Sequence, residues 1–584
     1  MFNLGLYKEG LRKTKVLAVL ILAIMILFSI IQPIAHISEH ARGIRQGWDW
    51  LEPTIRIYGL DASFMMLFAM FVGAPLITLS IFSFLNKRSS SDFYHAIPHK
   101  RETLYGSFIA AVLTWVVGGM WVTTAISVTI YATSSYTIIH LGSIILVLIG
   151  MSAACLLVIS GISLAMAVTG TGLSNIITSG LILLLPRLLM SMFITMIVDV
   201  TRIVSYADFG LFGNFSRNIP IGIITHIFFF YRHYNESIHQ IITRGTLYTF
   251  VLAVVYLILA GYLFKKRHSE LATNPGTRFT QPIIRIAVTF IMTLPAIGMI
   301  VTNYLYGDDT FLGVLIFYLI ALIGYFAYEF FTTKRIPKIV KMVPGLLIVV
   351  ILNIGFIVGV RIGRSVILQE INVNNISSIT IVNLNPDDWG RNSYVGLNAR
   401  GMEIHDAQIA QFLGETLNYN INNIRDEGEN DYWSWWEGTQ IRIRFNIDGS
   451  RNLTRNVIVT DQSTLAELLI AYKPYRDLYL MIPEDFDSAH AWGERGDLTR
   501  EETYRVLDVL REEIQEVDFA SWYQLVGRMR IFIEDESSYL RNDEWITIYV
   551  QGMSNGYYYY SNFPITELTP RTLELYRSYA RNRD

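Results

Sequence analysis

Cysteine is almost absent from this sequence: the chain of 584 residues contains one, Cys155, inside an apolar run. A single cysteine excludes a disulfide framework and a cysteine-based metal site within one chain, and we expect Cys155 to be a small buried hydrophobic residue. Charge is also scarce, at 16% of residues, with a formal net charge of -2 and a pI of about 6.6. Nucleic-acid binding requires a basic face, so this balance argues against a nucleic-acid partner.

Motifs for catalysis and nucleotide binding are missing as well. The sequence contains no Walker-type phosphate loop, no His-Glu-x-x-His zinc helix and no Gly-x-Ser-x-Gly nucleophile elbow. His95 and His99 have the spacing of one helix face, but Pro98 breaks that helix, so we predict no metal site there. We therefore expect a chain with no catalytic residues and no directly bound cofactor.

Long apolar runs dominate the first 360 or so residues of a chain that is 52% hydrophobic, with a mean hydropathy of +0.37. Nine of these runs have about 20 or more mostly apolar residues, which is enough to cross about 30 Å of hydrocarbon. They lie at approximately 16–35, 61–85, 105–131, 139–168, 174–198, 246–264, 283–305, 310–331 and 343–361. The sequence therefore predicts a polytopic α-helical membrane protein with about nine transmembrane helices.

The distribution of lysine predicts the orientation. Every lysine before residue 361 falls in the N-terminal segment or in a loop after an even-numbered span, and the other loops contain none. Positive residues are enriched in cytoplasmic loops, so we predict a cytoplasmic N-terminus. The first run lacks a signal cleavage motif and is interpreted as a retained span. With nine spans, the tail from residue 362 is predicted to lie outside the cell.

That tail, residues 362–584, has the alternation of half-buried strands interrupted by helical patterns. The predicted strands include Ile379–Val382, Gln440–Phe445, Arg530–Ile533 and Trp545–Tyr549, and the predicted helices are Asp406–Leu417, Ser463–Ala471, Arg500–Val517 and Pro570–Tyr579. We predict a C-terminal α+β extracytoplasmic domain with mainly antiparallel strands. Its aromatic clusters, Trp433–Trp436 and Tyr557–Tyr560, form a ligand or partner surface, an ordinary core, or a region that rests at the membrane interface.

Charges inside the apolar runs mark candidate transport-path residues. Pro186 and Arg187 lie near the middle of the fifth run. An arginine there costs about 2.5–3.5 kcal/mol, which the surrounding apolar residues outweigh at about 0.3–0.6 kcal/mol each. Arg187 should face protein or a wet cavity, and Pro186 should bend the helix. Glu329, in the eighth run, either forms an interfacial ion pair with Lys334 and Arg335 or lines the path.

A charged and aromatic insert, Asn86–Tyr105, separates the second and third runs. Its pattern predicts a helix of about six residues, capped by Ser91, starting at Asp92 and stopped by Pro98. Phe93, Tyr94 and Ile97 would share one side of this helix. So short a helix is unstable alone, so it needs a surface to lie against. Nearby charges, at Lys87, Arg88, Lys100 and Arg101, either hold the loop in the cytoplasm or contact a partner.

Two stretches carry a family resemblance. The insert Asn86-Lys-Arg-Ser-Ser-Ser-Asp-Phe-Tyr-His-Ala-Ile-Pro-His-Lys-Arg101 and the segment Leu263-Phe-Lys-Lys-Arg-His-Ser-Glu270 resemble those of Ytr-like bacterial permeases, which belong to the type 2 ABC exporters and occur mainly in Gram-positive organisms. The resemblance covers about residues 1–360. It implies that Ser91 to Arg101 form a coupling helix that contacts a separate ATPase and that Phe2 to Lys15 form a connecting helix along the inner membrane surface.

The resemblance also implies a domain organisation. Residues 1–15 would be the cytoplasmic amphipathic connecting segment, and 16–264 a six-span permease core with the coupling helix at 86–104. An outer loop at 201–245 would hold a re-entrant half-helix at Ile219–Phe230. Residues 265–361 would add three spans, and 362–584 would form the extracellular domain. The three additional spans and the large domain depart from the minimal six-span pattern of the family.

The function implied is transport across a bacterial cell membrane. The chain would be the permease subunit of an ATP-driven exporter of a peptide, antibiotic or other amphipathic substrate, with ATP and Mg²⁺ bound by cytoplasmic ATPase partners, two per transporter. A second copy or a related permease would complete the path, with Ser91, Asp92, Phe93, Tyr94, Ile97, Lys100 and Arg101 at the ATPase contact. Two alternatives remain open: a membrane sensor or scaffold whose outer domain binds a cell-envelope ligand, and a membrane-embedded enzyme.

Overall fold

A computed structural model describes the chain in segments that fall into two compact units. The described residues are 2–46, 54–57, 63–209, 236–274, 276–277, 280–306, 311–333, 343–383, 392–393, 399–426, 439–449, 451–479, 481–482, 488–492, 498–514, 516–517, 546–554, 557–565 and 567–581. The membrane unit comprises 1–196, 209–301 and 309–360, and the C-terminal unit comprises 197–208, 302–308 and 361–584. The C-terminal unit thus includes chain from two interspan connections as well as the predicted tail.

Nine helices among the described residues are long and apolar enough to cross a membrane, as predicted. Numbered as spans 1 to 9, they are Leu4–Arg45, Met65–Asn86, Arg101–Ala132, Leu141–Val168, Gly172–Thr201, Thr246–Lys266, Thr280–Val301, Phe311–Tyr328 and Pro344–Ile367. Span 6 is the second part of a helix that runs from Glu236 to Lys266. The predicted half-helix at 219–230 lies outside the described residues.

Within the predicted connecting segment, residues 4–15 are helical and are the first turns of the helix of span 1. Asn3 caps this helix, because its side-chain oxygen accepts a hydrogen bond from the Leu6 N–H at 3.1 Å. The Asn3 N–H donates to Ser107 Oγ at 3.0 Å, and the Tyr7 hydroxyl lies 2.9 Å from Thr114 Oγ1. The first turns of the chain therefore pack along span 3.

Spans 1 to 4 and span 6 contribute to one hydrophobic core. Phe82, Phe108 and Phe264 are each almost fully buried in it, and the ring of Phe82 lies 6.2 Å from that of Phe108 and 6.1 Å from that of Phe264. Spans 7, 8 and 9 are joined by polar contacts. Thr293 Oγ1 donates to Asn353 Oδ1 at 2.8 Å, and Asn353 Nδ2 donates to the hydroxyl of Tyr318 at 3.4 Å.

Short strands join the connections at one end of these helices. Ile55–Ile57 (β1), between spans 1 and 2, pairs in parallel with Thr137–Ile139 (β2), between spans 3 and 4. Ile57 of β1 is buried in a small hydrophobic cluster with Tyr131 and Ile144. The connections after spans 2, 4 and 6 meet at the other end, where they form the site described below. This arrangement is the one that alternate crossing of a membrane requires.

The C-terminal unit contains two four-stranded sheets. The strands are Ile376–Asn383 (β3), Asn392–Ser393 (β4), Glu403–Ile404 (β5), Thr439–Ile447 (β6), Arg451–Val459 (β7), Ser488–Trp492 (β8), Ile546–Ser554 (β9) and Tyr557–Ile565 (β10). One sheet has the order β5-β3-β6-β7 and the other β4-β10-β9-β8, and among the described strands of this unit only the β4–β10 pair is parallel. The predicted strand Arg530–Ile533 and the Trp433–Trp436 cluster lie outside the described residues.

The order of elements in this unit is repeated. In each half a strand, β3 or β8, precedes a helix, Ala407–Asp426 or Arg500–Glu513. A hairpin follows, β6–β7 or β9–β10, in which every strand has nine residues. A second helix, Gln462–Ala471 or Pro570–Arg581, packs on the first, and Lys473–Tyr479 follows the first half. The C-terminal unit is therefore an α+β domain built from two similar modules.

Cysteine labelling tests the orientation of the membrane unit. We expect a maleimide that cannot cross membranes to label Ile138→Cys in intact cells and Phe93→Cys only after the membrane is opened, since these side chains are 46% and 67% exposed at opposite ends of the spans. The native Cys155 is fully buried and should stay unlabelled. The reverse pattern, or labelling of both residues in intact cells, contradicts the predicted orientation.

Candidate functional site

The insert between spans 2 and 3 forms a helix that begins earlier than predicted. This loop helix runs from Arg88 to Ala96, after Lys87 in extended conformation. The predicted cap, Ser91, is wrong: it lies inside the first turn, where its N–H donates to the carbonyl of Lys87 at 2.9 Å and its side chain is fully buried. The helix also ends one residue earlier than predicted, because Ile97 is extended, as the residue before a proline tends to be.

Phe93 and Tyr94 were predicted to share one side of the loop helix, but they face different directions. Phe93 is 67% exposed. Tyr94 faces the membrane unit, where its ring lies 4.4 Å from that of Phe84 and 5.9 Å from that of Phe108. The ammonium group of Lys13 lies 4.9 Å from the centre of the Tyr94 ring, within range of a cation–π contact. Tyr94 therefore anchors the helix, and Phe93 is left available on its outer surface.

A buried arginine holds the neighbouring helix ends together. Arg267 follows span 6 directly and is 3% exposed. Its Nη1 donates to the carbonyl oxygens of Met166 and Thr169, each at 2.5 Å, and its Nη2 donates to that of Leu85 at 2.9 Å. Burial lowers the pKa of Arg267 to about 10, so it remains protonated at neutral pH. One positive charge thus connects the ends of spans 2, 4 and 6.

Further hydrogen bonds complete what we call the junction, which comprises Asn86, Arg101, Thr169, Gly170, Asn175 and Arg267. Asn175 Nδ2 donates to Asn86 Oδ1 at 2.9 Å, and the Thr169 hydroxyl donates to Asn175 Oδ1 at 2.5 Å. Gly170 exchanges backbone hydrogen bonds with the segment after span 6. A Cβ at Gly170 would lie 1.8 Å from the carbonyl oxygen of Leu271, so this approach permits only glycine. The junction thus joins spans 2, 4, 5 and 6.

The basic residues predicted to meet a partner differ in their surroundings. Lys100 is exposed. Arg101 donates to the carbonyl oxygens of Lys265 and Arg267, and the adjacent Glu102 forms an ion pair of 2.6 Å with Lys265. Arg101 therefore binds the chain that follows span 6. Asp92, like Phe93, is exposed on the loop helix.

The candidate transport-path residues lie apart from the junction in sequence. Pro186 is exposed and Arg187 half-buried, and the helix Gly172–Thr201 continues through both. Glu329 lies in the helix Phe311–Thr333, but its side chain is outside the described residues, as are Lys334 and Arg335. Sequence reasoning gave no individual role to Arg267, Asn86 or Asn175. Arg267 stands in the quoted segment after span 6, but nothing in that segment distinguishes it from Lys265 and Lys266.

Comparisons with known proteins identify no relative. No protein family, curated protein or solved structure matches the chain significantly.

The first test of the junction is removal of its guanidinium. We expect Arg267→Ala to destabilise the membrane unit by about 3 kcal/mol or more, because buried carbonyl groups lose charged hydrogen bonds. Arg267→Lys should recover only part of this loss, since an ammonium group lacks the planar fork of donors. The measurement is thermal unfolding in detergent, with the exposed neighbour Lys266→Ala as control. Equal stability of the Arg267 and Lys266 alanine variants would contradict the assigned role.

His95 should make stability depend on pH. Burial, aided by the positive charges of Arg101 and Arg267, lowers the pKa of His95 from 6.5 to about 4, although Asp92 opposes this shift. Below pH 6.5 the unfolded chain therefore binds more protons at this position, so stability should fall as the pH decreases toward 4. His95→Asn should flatten that part of the curve, whereas His99→Asn, at an exposed position, should not. Parallel curves for the wild type and His95→Asn would contradict this expectation.

Proposed function

We propose that this chain is the permease subunit of an ATP-driven transporter and that the loop helix is its contact with a separate ATPase. The observation that carries the proposal is the division of the loop helix: Tyr94 is held between Phe84 and Phe108, while Phe93 is 67% exposed. Exposed aromatic side chains are common anchors in protein interfaces. A helix that is fixed on one side and presents an aromatic residue on the other suits the transmission of force.

The junction supports this role through its connections. The loop helix begins one residue after the end of span 2, and its Tyr94 packs against Phe108 of span 3. Arg267 connects the end of span 2 with the ends of spans 4 and 6. A displacement applied at Phe93 would therefore act on the core helices as a group. Closure of two ATPase subunits around ATP and Mg²⁺ would supply that displacement.

The remaining parts of the proposal rest on motifs that the sequence lacks and on its resemblance to Ytr-like permeases. The chain has no Walker-type phosphate loop, so a partner would bind the nucleotide. Two copies, or one copy with a related permease, would line a path in a bacterial cell membrane, with Pro186, Arg187 and Glu329 as candidate path residues. The cargo would be exported and would be a peptide, an antibiotic or another amphipathic molecule. The N-terminus and loop helix would be cytoplasmic and the C-terminal domain extracellular.

A second candidate function is a membrane sensor or scaffold. It is favoured by the size and organisation of the C-terminal domain, whose two modules far exceed a simple interspan loop. A sensor would bind a cell-envelope ligand through this domain and would not need an ATPase. The two proposals therefore differ in whether an ATPase accompanies the chain in the membrane.

The proposal is tested by purifying the tagged chain from its native membrane in mild detergent and identifying the proteins that accompany it. We expect an ATPase with a Walker motif. Phe93→Ala should weaken its retention by about thirtyfold, because an aromatic anchor contributes about 2 kcal/mol or more to an interface. Phe311→Ala is the matched control, since Phe311 is 71% exposed at the start of span 8, at the predicted extracellular end.

Two outcomes would reject the proposal. If no ATPase accompanies the wild-type chain even after chemical cross-linking, the transporter assignment fails and the sensor remains. If an ATPase is present but Phe93→Ala and Phe311→Ala retain it equally well, the loop helix is not the contact. Thermal unfolding of both variants in detergent shows whether a loss of retention reflects a loss of fold.

A further inference from the structure

The chain that follows span 5 is part of the C-terminal unit. Span 5 ends at Thr201, and residues 197–208 group with the two sheets. Ile203 and Val204 are almost fully buried, at 0% and 2% exposure. From the sequence, this stretch is predicted to belong to a long outer loop at 201–245. In the structure it is a covered element of the domain.

One backbone hydrogen bond and two side-chain hydrogen bonds attach this segment to an edge of the first sheet. The N–H of Asn456, in the edge strand β7, donates to the carbonyl oxygen of Ile203 at 2.8 Å. The side-chain amides of Asn456 and Gln440 donate to the carbonyl oxygen of Arg202 at 3.4 and 3.3 Å. Two residues farther along the same edge, the N–H of Ile458 donates instead to the side chain of Asn420 at 2.8 Å. Different groups therefore cover neighbouring positions of β7.

An ion pair closes the attachment. Arg442 Nη2 lies 2.6 Å from Asp208 Oδ1, and each side chain is 11% exposed. Asp208 also accepts a hydrogen bond from the N–H of Ser205 at 2.8 Å, and the guanidinium of Arg442 donates to the Ser205 hydroxyl. Burial raises the pKa of Asp208 despite the nearby Arg442 and Arg455. Removing either partner leaves the other charge buried and without its counter-charge, so each single variant should loosen the attachment.

In the second module, too, the edge of the hairpin binds another segment of the chain. There the second hairpin strand is β10, and it accepts the short strand β4, in which Asn392 and Ser393 pair with Tyr559 and Tyr560. β4 comes from the connection that follows β3 in the first module. In both modules, therefore, the free edge of the hairpin binds a segment from elsewhere in the chain. For β7 that segment is the continuation of a membrane span.

We propose that span 5 is a connecting rod between the junction and the C-terminal domain. Asn175, in its first turn, is held by Asn86 and Thr169. The segment after its last turn is held by β7 and by the Arg442–Asp208 pair, which together we call the clasp. The helix Gly172–Thr201 is continuous between these two positions. Opening the clasp releases that end of span 5. The proposed role of span 5 does not depend on whether an ATPase binds the loop helix.

The clasp is tested by hydrogen exchange of the full chain in lipid nanodiscs, resolved to single amides. We expect the Asn456 amide to exchange about tenfold faster in Asp208→Asn and in Arg442→Gln, corresponding to a loss of about 1.4 kcal/mol of protection. The Ile458 amide, which Asn420 holds, should not change. Glu370→Gln is the matched control, because Glu370 forms an exposed ion pair of 3.2 Å with Arg425 in the same unit. It should alter neither amide.

The rod is tested by a spin label at Asp199→Cys, an exposed position near the end of span 5. We expect the label to become more mobile in Asp208→Asn and in Arg442→Gln, to no greater extent in the double variant, and to stay unchanged in Glu370→Gln. An unchanged Asn456 amide overturns the clasp. A faster Asn456 amide with an immobile label overturns its hold on span 5.

A variant that unfolds the module would lose protection at Ile458 as well. In that case Arg442→Lys decides the question, since it keeps the charge beside Asp208 and alters only the donor geometry. With Ile458 protected, an intermediate rate at Asn456 and intermediate label mobility support the inference. Wild-type values for both in Arg442→Lys, together with unfolding of Arg442→Gln, would show that Arg442 supports the module rather than the clasp.

Discussion

The membrane unit depends on the burial of one positive charge at the ends of three helices. The last carbonyl groups of a helix have no partner within it and carry partial negative charge. Arg267, which directly follows span 6, satisfies such groups at the ends of spans 2 and 4. Its guanidinium has five donors in a rigid plane, so one side chain can serve several acceptors at fixed angles. A buried charge without these partners is strongly unfavourable. The three helix ends must therefore move together or lose the contact.

This constraint explains why a nine-residue helix can serve as a mechanical element. Alone, the loop helix would be unstable in water, but its position is fixed by the rings around Tyr94 and by its short link to span 2. The exposed Phe93 is then held at a defined place, which reduces the entropy lost when a partner binds it. Rigidity behind the contact and exposure at the contact are the two properties that a coupling element needs. The loop helix has both, because its aromatic residues divide between the two directions.

What could be predicted from the sequence is what depends on neighbouring residues. The apolar runs predicted the nine spans, and Pro98 predicted the end of the loop helix to within one residue. The start of that helix was misplaced because three successive serines, Ser89 to Ser91, offered equivalent local caps, whereas the chain leaving span 2 makes Lys87 the extended residue. Contacts between residues far apart in the chain could not be predicted from local patterns; Asn86 and Asn175, for example, are 89 positions apart. Strand β7 was missed although Asp448-Gly449 before it marks a hairpin turn, and both residues have positive φ.

If both ends of span 5 are held, its response to a displacement depends on how easily the helix bends at Pro186. Pro186 cannot donate the hydrogen bond that an interior helix residue normally provides, and its ring crowds the preceding turn. The helix nevertheless continues from Gly172 to Thr201. The Pro186 side chain is exposed, whereas Ile182 and Leu183, one turn earlier, pack against the core. The lost hydrogen bond makes the helix easier to bend at this position than elsewhere along span 5. Arg187, beside this position, would therefore change its surroundings whenever the helix bends there.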